Sequence, residues 1–473
     1  MDPVAYIAIL SLVLLFLLHR LLGLASRNGK NKSMGLPPSP PAIPFLGHLH
    51  LVKTPFHAAL ARSPRATVFS MRMGSRRAVV VSSPDAAKEC FTEHDVAFAN
   101  RPLFPSQKLV SFGGNSLSMA SYGPYWRNLR RVAAVQLLSA HRVACMSPVI
   151  SAEVRAMMKR RLFEVSLSVL METIARTKTS RTEADADTDM SPEAQVFKQI
   201  VNDIVPHLGT ANLWDYLPVL RWFDVFGVIN KLVAAVSRRD VFLRRLIDAE
   251  RRREAAAAAT KSEPEVYTDT MIKSLCASMF GAGTETTSTT TEWAMALLLN
   301  HPEKLQKAQA EIYAAVGTSS LITPDDVPRL NYLQSIITET LRLYPAAPLL
   351  LPHESSADCT VGGYDVPRGT MLLVNVYAVF WPERFEDGKA EGRLLMPFGM
   401  GRLKCPGETF ALRTVGLVLG SLLQCFDWDR VDGAMVDMTE SGGLTIPMAV
   451  PLEAMCRPRA AMHDVLQELW YMV

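Results

Sequence analysis

The stretch Pro397-Phe-Gly-Met-Gly-Arg-Leu-Lys-Cys-Pro-Gly407 constrains this chain more than any other. It sets one cysteine, Cys405, in a turn where Gly399, Gly401 and Gly407 allow tight, positive-φ backbone. An apolar run from Thr409 to Leu423 follows and reads as a buried helix that begins just after the cysteine. A thiol at a helix N-terminus, circled by backbone N–H groups and close in sequence to Arg402 and Lys404, is biased toward thiolate. A thiolate in a rigid loop is a metal ligand or a nucleophile. The nucleophile is the weaker reading, since no histidine lies near Cys405 in sequence. For an isolated cysteine, a buried structural role is the default.

A second stretch, Phe280-Gly-Ala-Gly-Thr-Glu-Thr-Thr-Ser-Thr-Thr290, lies between two helical patterns, Tyr267–Met279 and Trp293–Leu299. Two glycines and many β-branched residues are poor helix formers, and a local rule broken inside a helical pattern tends to mark a functional site. The bland alternative is a loop between two helices. Further on, Trp126 and Arg130 share a helix face four residues apart, and Glu339 and Arg342 share one three apart. Alone, both pairs are ordinary.

Together these stretches resemble the cytochrome P-450 family. Phe398, Gly401, Cys405 and Gly407 stand where its F-x-x-G-x-x-x-C-x-G signature puts them, and Ala282 to Thr287 match its [A/G]-G-x-[D/E]-T-[T/S] pattern. The resemblance covers nearly the whole chain. It implies a mainly α (α+β) fold, with a large helical lobe and a small β-rich lobe. It implies haem b, its iron held by the axial thiolate of Cys405 and its loop contacts made by Pro397, Phe398, Gly399, Arg402 and Gly407. It implies Trp126, Arg130 and His353 as propionate contacts, and Ala282 and Gly283 as neighbours of the haem, with Gly283 leaving room for oxygen. Glu285 and Thr286 become the pair that delivers protons, suited to a monooxygenase. Glu339 and Arg342, with Arg384, become a buried structural ion network.

Four departures stand out. The family's loop carries Arg two residues before the cysteine, where this chain has Leu403. The segments near 61–68, 253–263 and 375–382 look short against the family, the last two by about a dozen residues or more. Two functions follow. One is a monooxygenase acting on a small apolar molecule with electrons from an NADPH-dependent flavoprotein reductase. The other is a relative that has lost segments and binds haem weakly or not at all. The loop residues look like the plant A-type branch that acts on isoflavonoids and related phenolics, or on herbicides. Candidate pocket residues are Phe112, Phe280, Ala282, Leu350 and Leu444, each equally plausible as core.

Composition and the N-terminus set the surroundings. The net charge of +4 on 473 residues gives no argument for nucleic acid. Seven cysteines without a CxxC pair favour a reducing compartment for the body. The apolar run Val4–Leu18 and its continuation to Ala25 read as an uncleaved transmembrane anchor over 1–26, with a cleaved signal peptide as runner-up. Arg20, Arg27, Lys30 and Lys32 follow the run and orient the body to the cytosol. With the family, this places a single-pass protein in the endoplasmic reticulum membrane. Residues 27–46 form a basic and proline-rich hinge, and 47–473 the catalytic domain. Within it, Val68–Met73 and Ala78–Val81 suit two strands joined at Gly74-Ser75, and Arg101–Tyr122 reads as a long functional loop.

Overall fold

The structure is a computed structural model that describes residues 11–15, 35–52, 55–61, 67–157, 169–171, 192–207, 212–217, 220, 227–257, 268–376 and 396–471. The short segments near 62–66, 258–267 and 377–395, the Arg384 position and most of the 1–26 run lie outside them. Residues 11–15 are helical and exposed. No helix among the described residues is long and apolar enough to cross a membrane.

The small lobe is built on a hairpin. Strand β1 (Val68–Met73) pairs antiparallel with β2 (Arg76–Val81), as the apolar alternation around Gly74-Ser75 predicts. Strand β2 then pairs in parallel with β6 (Met371–Val374), and β6 pairs antiparallel with β3 (His353–Glu354), giving the order β1-β2-β6-β3. Strands β4 (Cys359–Val361) and β5 (Tyr364–Val366) form a separate pair. Helix α1 (Phe56–Ala61) packs Leu60 on one face of the four-stranded sheet. On the other face lies α2 (Pro84–Phe91), whose N-cap Ser83 accepts a hydrogen bond from the Ala86 amide.

The stretch 101–122 is not wholly a loop, since it holds α3 (Pro105–Val110) before α4 (Pro124–Arg131). The large lobe continues with α5 (Pro192–Ile204), α6 (Val228–Ala257), α7 (Asp269–Asn300), α8 (Pro302–Val316), α9 (Asn331–Leu343) and α10 (Glu408–Cys425). Leu275, Met295, Leu305, Ile312, Leu333, Ile337, Val418 and Leu423 bury one core shared by α7 to α10. Burial of this kind is the main favourable term in such a fold.

Helix α7 runs unbroken through Gly281 and Gly283, which excludes a loop between two helices. Its threonines supply the reason. Thr284, Thr286, Thr287, Thr290 and Thr291 each donate a hydroxyl hydrogen bond to the carbonyl four residues back, so these polar groups are satisfied inside the helix. Tertiary packing then outweighs their weak helix propensity.

Candidate active site

The cysteine loop is shaped by hydrogen bonds to its own backbone. The Cys405 amide donates to the Phe398 carbonyl at 2.8 Å, and the Gly399 amide to Met396 at 3.0 Å. Gly401 has φ +69°, and a Cβ there would lie 2.5 Å from Asp95 Oδ1 and 2.7 Å from the Phe91 carbonyl. Helix α10 starts three residues after the cysteine, close to the start predicted from the apolar run.

The Cys405 thiol has its pKa pushed up by burial in surrounding protein, even though the residue itself is exposed by contact area. The Gly407 amide, Arg130 and Lys404 pull it down, but less strongly. In the protein alone burial outweighs those three groups. Burial was invisible in the sequence, and it wins. A cation bound at the sulfur reverses that balance.

Arg130 answers from the other side. Burial holds its guanidinium below the usual arginine range, and the charge of Cys405 works against that. Trp126, on the same helix, is buried and gives its indole N–H to the Leu117 carbonyl at 3.1 Å, so its one ring donor is already engaged. Its contribution is to seat α4, with Tyr122 packed beside it at 5.7 Å between ring centroids.

Arg402 turns away toward α2, where Asp95 and the Tyr122 hydroxyl hold it. Its guanidinium serves the loop's shape. Lys404 pairs with Glu408 at 2.5 Å.

His353 lies buried in β3, with Nδ1 2.7 Å from the Phe98 carbonyl and its ring against Phe91. Burial and the neighbouring charge of Arg101 push its pKa well down. It is a neutral histidine whose Nδ1–H is the donor to that carbonyl. Arg101 lies close by. It is only 7% exposed, and Nη1 donates to the Leu351 and Pro352 carbonyls at 2.7 and 3.0 Å. No acid pairs with it among the described residues, and Nε is buried without a partner. Burial alone pushes its pKa to about 9. A buried guanidinium lacking an anion is costly unless an anionic group completes it. Sequence reading missed Arg101, because a lone arginine in a loop carries no local mark of burial.

On α7, Ala282 is exposed and Thr286 partly so. Gly283 does not open space beside them: a Cβ there would meet Leu170 Cδ1 at 2.9 Å, so the gap is filled by packing. Glu285 accepts a hydrogen bond from Thr445 Oγ1 at 2.6 Å. Burial raises its pKa, and that bond partly offsets the rise.

Among the pocket candidates, Leu350 and Leu444 line one cavity with Phe56, Pro348 and Ile446. Phe280 is wholly buried against Phe197 and is core. Phe112, at φ +54°, lies under the Arg239 guanidinium. Arg342, largely buried, makes a bidentate pair with Glu339, while Arg384, the third member of the expected network, lies outside the described residues.

A cysteine held by amide groups beside one guanidinium, with a second buried guanidinium wanting an anion, fits a metal-centred cofactor that carries carboxylates. In a helical lobe joined to a small mixed sheet, it defines a haem-thiolate protein. The chain belongs to the cytochrome P450 family, whose model matches residues 37–451. It is 43% identical over 472 residues to "Cytochrome P450 81Q32" of Catharanthus roseus, covering 92% of this chain and 93% of that one. It is 38% identical over 503 residues to "Isoflavone 3'-hydroxylase" of Medicago truncatula, covering 97% and 99%. It is also 38% identical over 475 residues to "Isoflavone 2'-hydroxylase" of Glycyrrhiza echinata, covering 92% and 95%. A solved zebra fish cytochrome P450, bound to abiraterone, superposes with a TM-score of 0.69 at 24% identity, over 86% of this chain and all of that one. The protein is thus a cytochrome P450 monooxygenase, with haem as its cofactor and a cysteine thiolate as the axial ligand.

Proposed function

We propose that this chain is a membrane-anchored hydroxylase of small apolar phenolic molecules, isoflavones foremost, with electrons from an NADPH-dependent flavoprotein reductase. Cys405 would ligate the haem iron through its thiolate, and Arg101 and Arg130 would hold the haem carboxylates. The bound haem supplies the redox chemistry of oxygen activation. The chain's own residues do the rest. Gly407 N–H and Arg130 stabilise negative charge on Cys405 Sγ. Glu285 holds a proton in a desolvated setting, and Thr286 stands beside it on the open side of α7. Leu350 and Leu444 offer an apolar wall to the substrate. The 1–26 run anchors the chain in the endoplasmic reticulum membrane, with the 47–473 body in the cytosol. Exposed Arg131 and Lys404 near the cysteine loop steer an acidic reductase.

The observation that carries this reading is the Cys405 loop itself, where the cysteine amide is held by the Phe398 carbonyl and the Gly407 amide and Arg130 favour negative charge on the sulfur. A second reading, a weakly haem-binding relative, is favoured by Leu403, which brings no charge where the family has one. The reduced carbon-monoxide difference spectrum separates them. The red-shifted Soret band of thiolate ligation, absent in Cys405→Ala, supports the first. No band from accumulated protein supports the second. Conversion of the isoflavone daidzein with added reductase then tests the substrate class.

A further inference from the structure

Glu285, Glu292, Trp293 and Asn300 share one face of α7, spaced near whole helical turns. All four bond to the segment 436–452. Thr445 Oγ1 donates to Glu285 Oε1 at 2.6 Å, and Trp293 Nε1 donates to the Ile446 carbonyl at 2.9 Å. The Leu452 amide donates to Glu292 Oε1 at 3.0 Å. Asn300 exchanges bonds with the Val436 backbone, at 3.1 Å through Nδ2 and 2.9 Å through Oδ1. The segment is a strap laid along the helix that carries the acid.

The bonds at 436, 446 and 452 engage backbone groups, so they fix the strap's path whatever its side chains are. The bond to Glu285 differs, because it needs the hydroxyl of residue 445. Thr445 is itself buried, and its neighbour Leu444 lines the cavity it shares with Leu350. A carboxyl whose Oε1 accepts a fixed hydrogen bond has its plane set, and Oε2 is left to carry the proton.

We propose that Thr445 is a positioning residue: held by the strap, its hydroxyl orients the Glu285 carboxyl and reserves Oε2 for the proton that Glu285 delivers. This rests on the reading of Glu285 as the proton carrier. The balance on Glu285 supports it, since burial raises its pKa, Thr445 lowers it, and no charged side chain among the described residues enters.

The test uses the full-length holoenzyme with Thr445→Val, Thr445→Ser and Glu285→Gln. Two quantities are read: product formed per NADPH consumed with daidzein, and the infrared carboxyl band of Glu285, identified by its loss in Glu285→Gln. The band needs no haem. Thr445→Val is expected to lower product per NADPH by about three- to tenfold. It is also expected to shift the carboxyl band and move its pH midpoint upward, since a donor to the charged form is gone. Thr445→Ser is expected to restore both. Where Thr445→Val does not accumulate, Thr445→Ala carries the same readings. Wild-type coupling and an unmoved band in the valine variant overturn the proposal, as does failure of serine to restore them. Unchanged coupling in Glu285→Gln instead overturns the role of Glu285.

Discussion

Asp95 holds Arg402 twice: Oδ1 accepts the Arg402 amide at 2.9 Å, and Oδ2 meets Nε at 2.8 Å. The turn after α2 is thereby fastened to the cysteine loop three residues before Cys405. Side chain and backbone are gripped together, so the clamp fixes the loop's direction as well as its position. Arg402 also reaches the Tyr122 hydroxyl at 3.1 Å and lies over its ring, which ties the loop to the entry of α4.

Asp95→Ala is therefore expected to loosen the ligand loop without touching the sulfur. The pair is partly exposed, so the direct stability cost is about 1 kcal/mol or less. The sharper effect is a lower fraction of protein showing the thiolate-type carbon-monoxide band. Gly401→Ala attacks the same contact through the backbone. It combines a positive φ with a Cβ 2.5 Å from Asp95 Oδ1, and is expected to cost about 1–3 kcal/mol. Thermal melting read beside the spectrum gives both numbers. Equal spectra in all three proteins would remove the clamp from the account.

Arg101→Leu is expected to spare folding more than haem retention. The guanidinium is buried with no acid beside it among the described residues, so its charge is of little use to the chain alone. Losing a charged hydrogen bond to a cofactor carboxylate costs about 1.5–3 kcal/mol, or about tenfold or more in haem dissociation. Haem transfer to an acceptor protein measures that rate. Leu403→Arg is expected to act in the opposite direction by returning a charge to the ligand loop. An unchanged rate in Arg101→Leu would show that the buried charge answers some other anion.

What the sequence told and withheld follows from how local each signal is. The β1–β2 hairpin was legible from alternation around one turn, and α10 from an apolar run, since both patterns lie within a dozen residues. Propensity alone argued against α7 at Gly281 and Gly283, where threonine back-bonds and core contacts outvote it. The cysteine motif marked the ligand, while the burial that opposes charge on its sulfur was not visible in it. Arg101 and the neutral His353 are products of long-range packing against 351–352 and Phe98, which no local pattern encodes.

Glu285→Gln is expected to keep the thiolate band and lower product formation by about 100-fold, the usual weight of a positioned acid. It carries a pH signature as well. Burial raises the folded carboxyl above its ordinary value of 4.5, so the folded chain holds the proton where the unfolded chain releases it. The stability linked to that proton is present below about 4.5 and is lost as pH rises through the folded value. Glutamine has no such loss. The stability of Glu285→Gln relative to wild type is therefore expected to rise with pH above 4.5, as denaturant melts at several pH values would show. A flat difference would mean that Glu285 is not desolvated.

Gly283→Ala separates two roles for the small residue beside the acid. If the missing side chain made room for oxygen, a methyl group there would cut turnover. The structure places Leu170 Cδ1 in that space, 2.9 Å from the added Cβ. The clash is with the free end of a leucine, which yields by a small rotation. Alanine also gains about 1 kcal/mol over glycine in a helix interior. The two terms nearly cancel, so the variant is expected to melt within about 1 kcal/mol of wild type. Its carbon-monoxide band and product per NADPH are expected to stay unchanged. A selective fall in product per NADPH with normal melting would return Gly283 to the oxygen side of the helix.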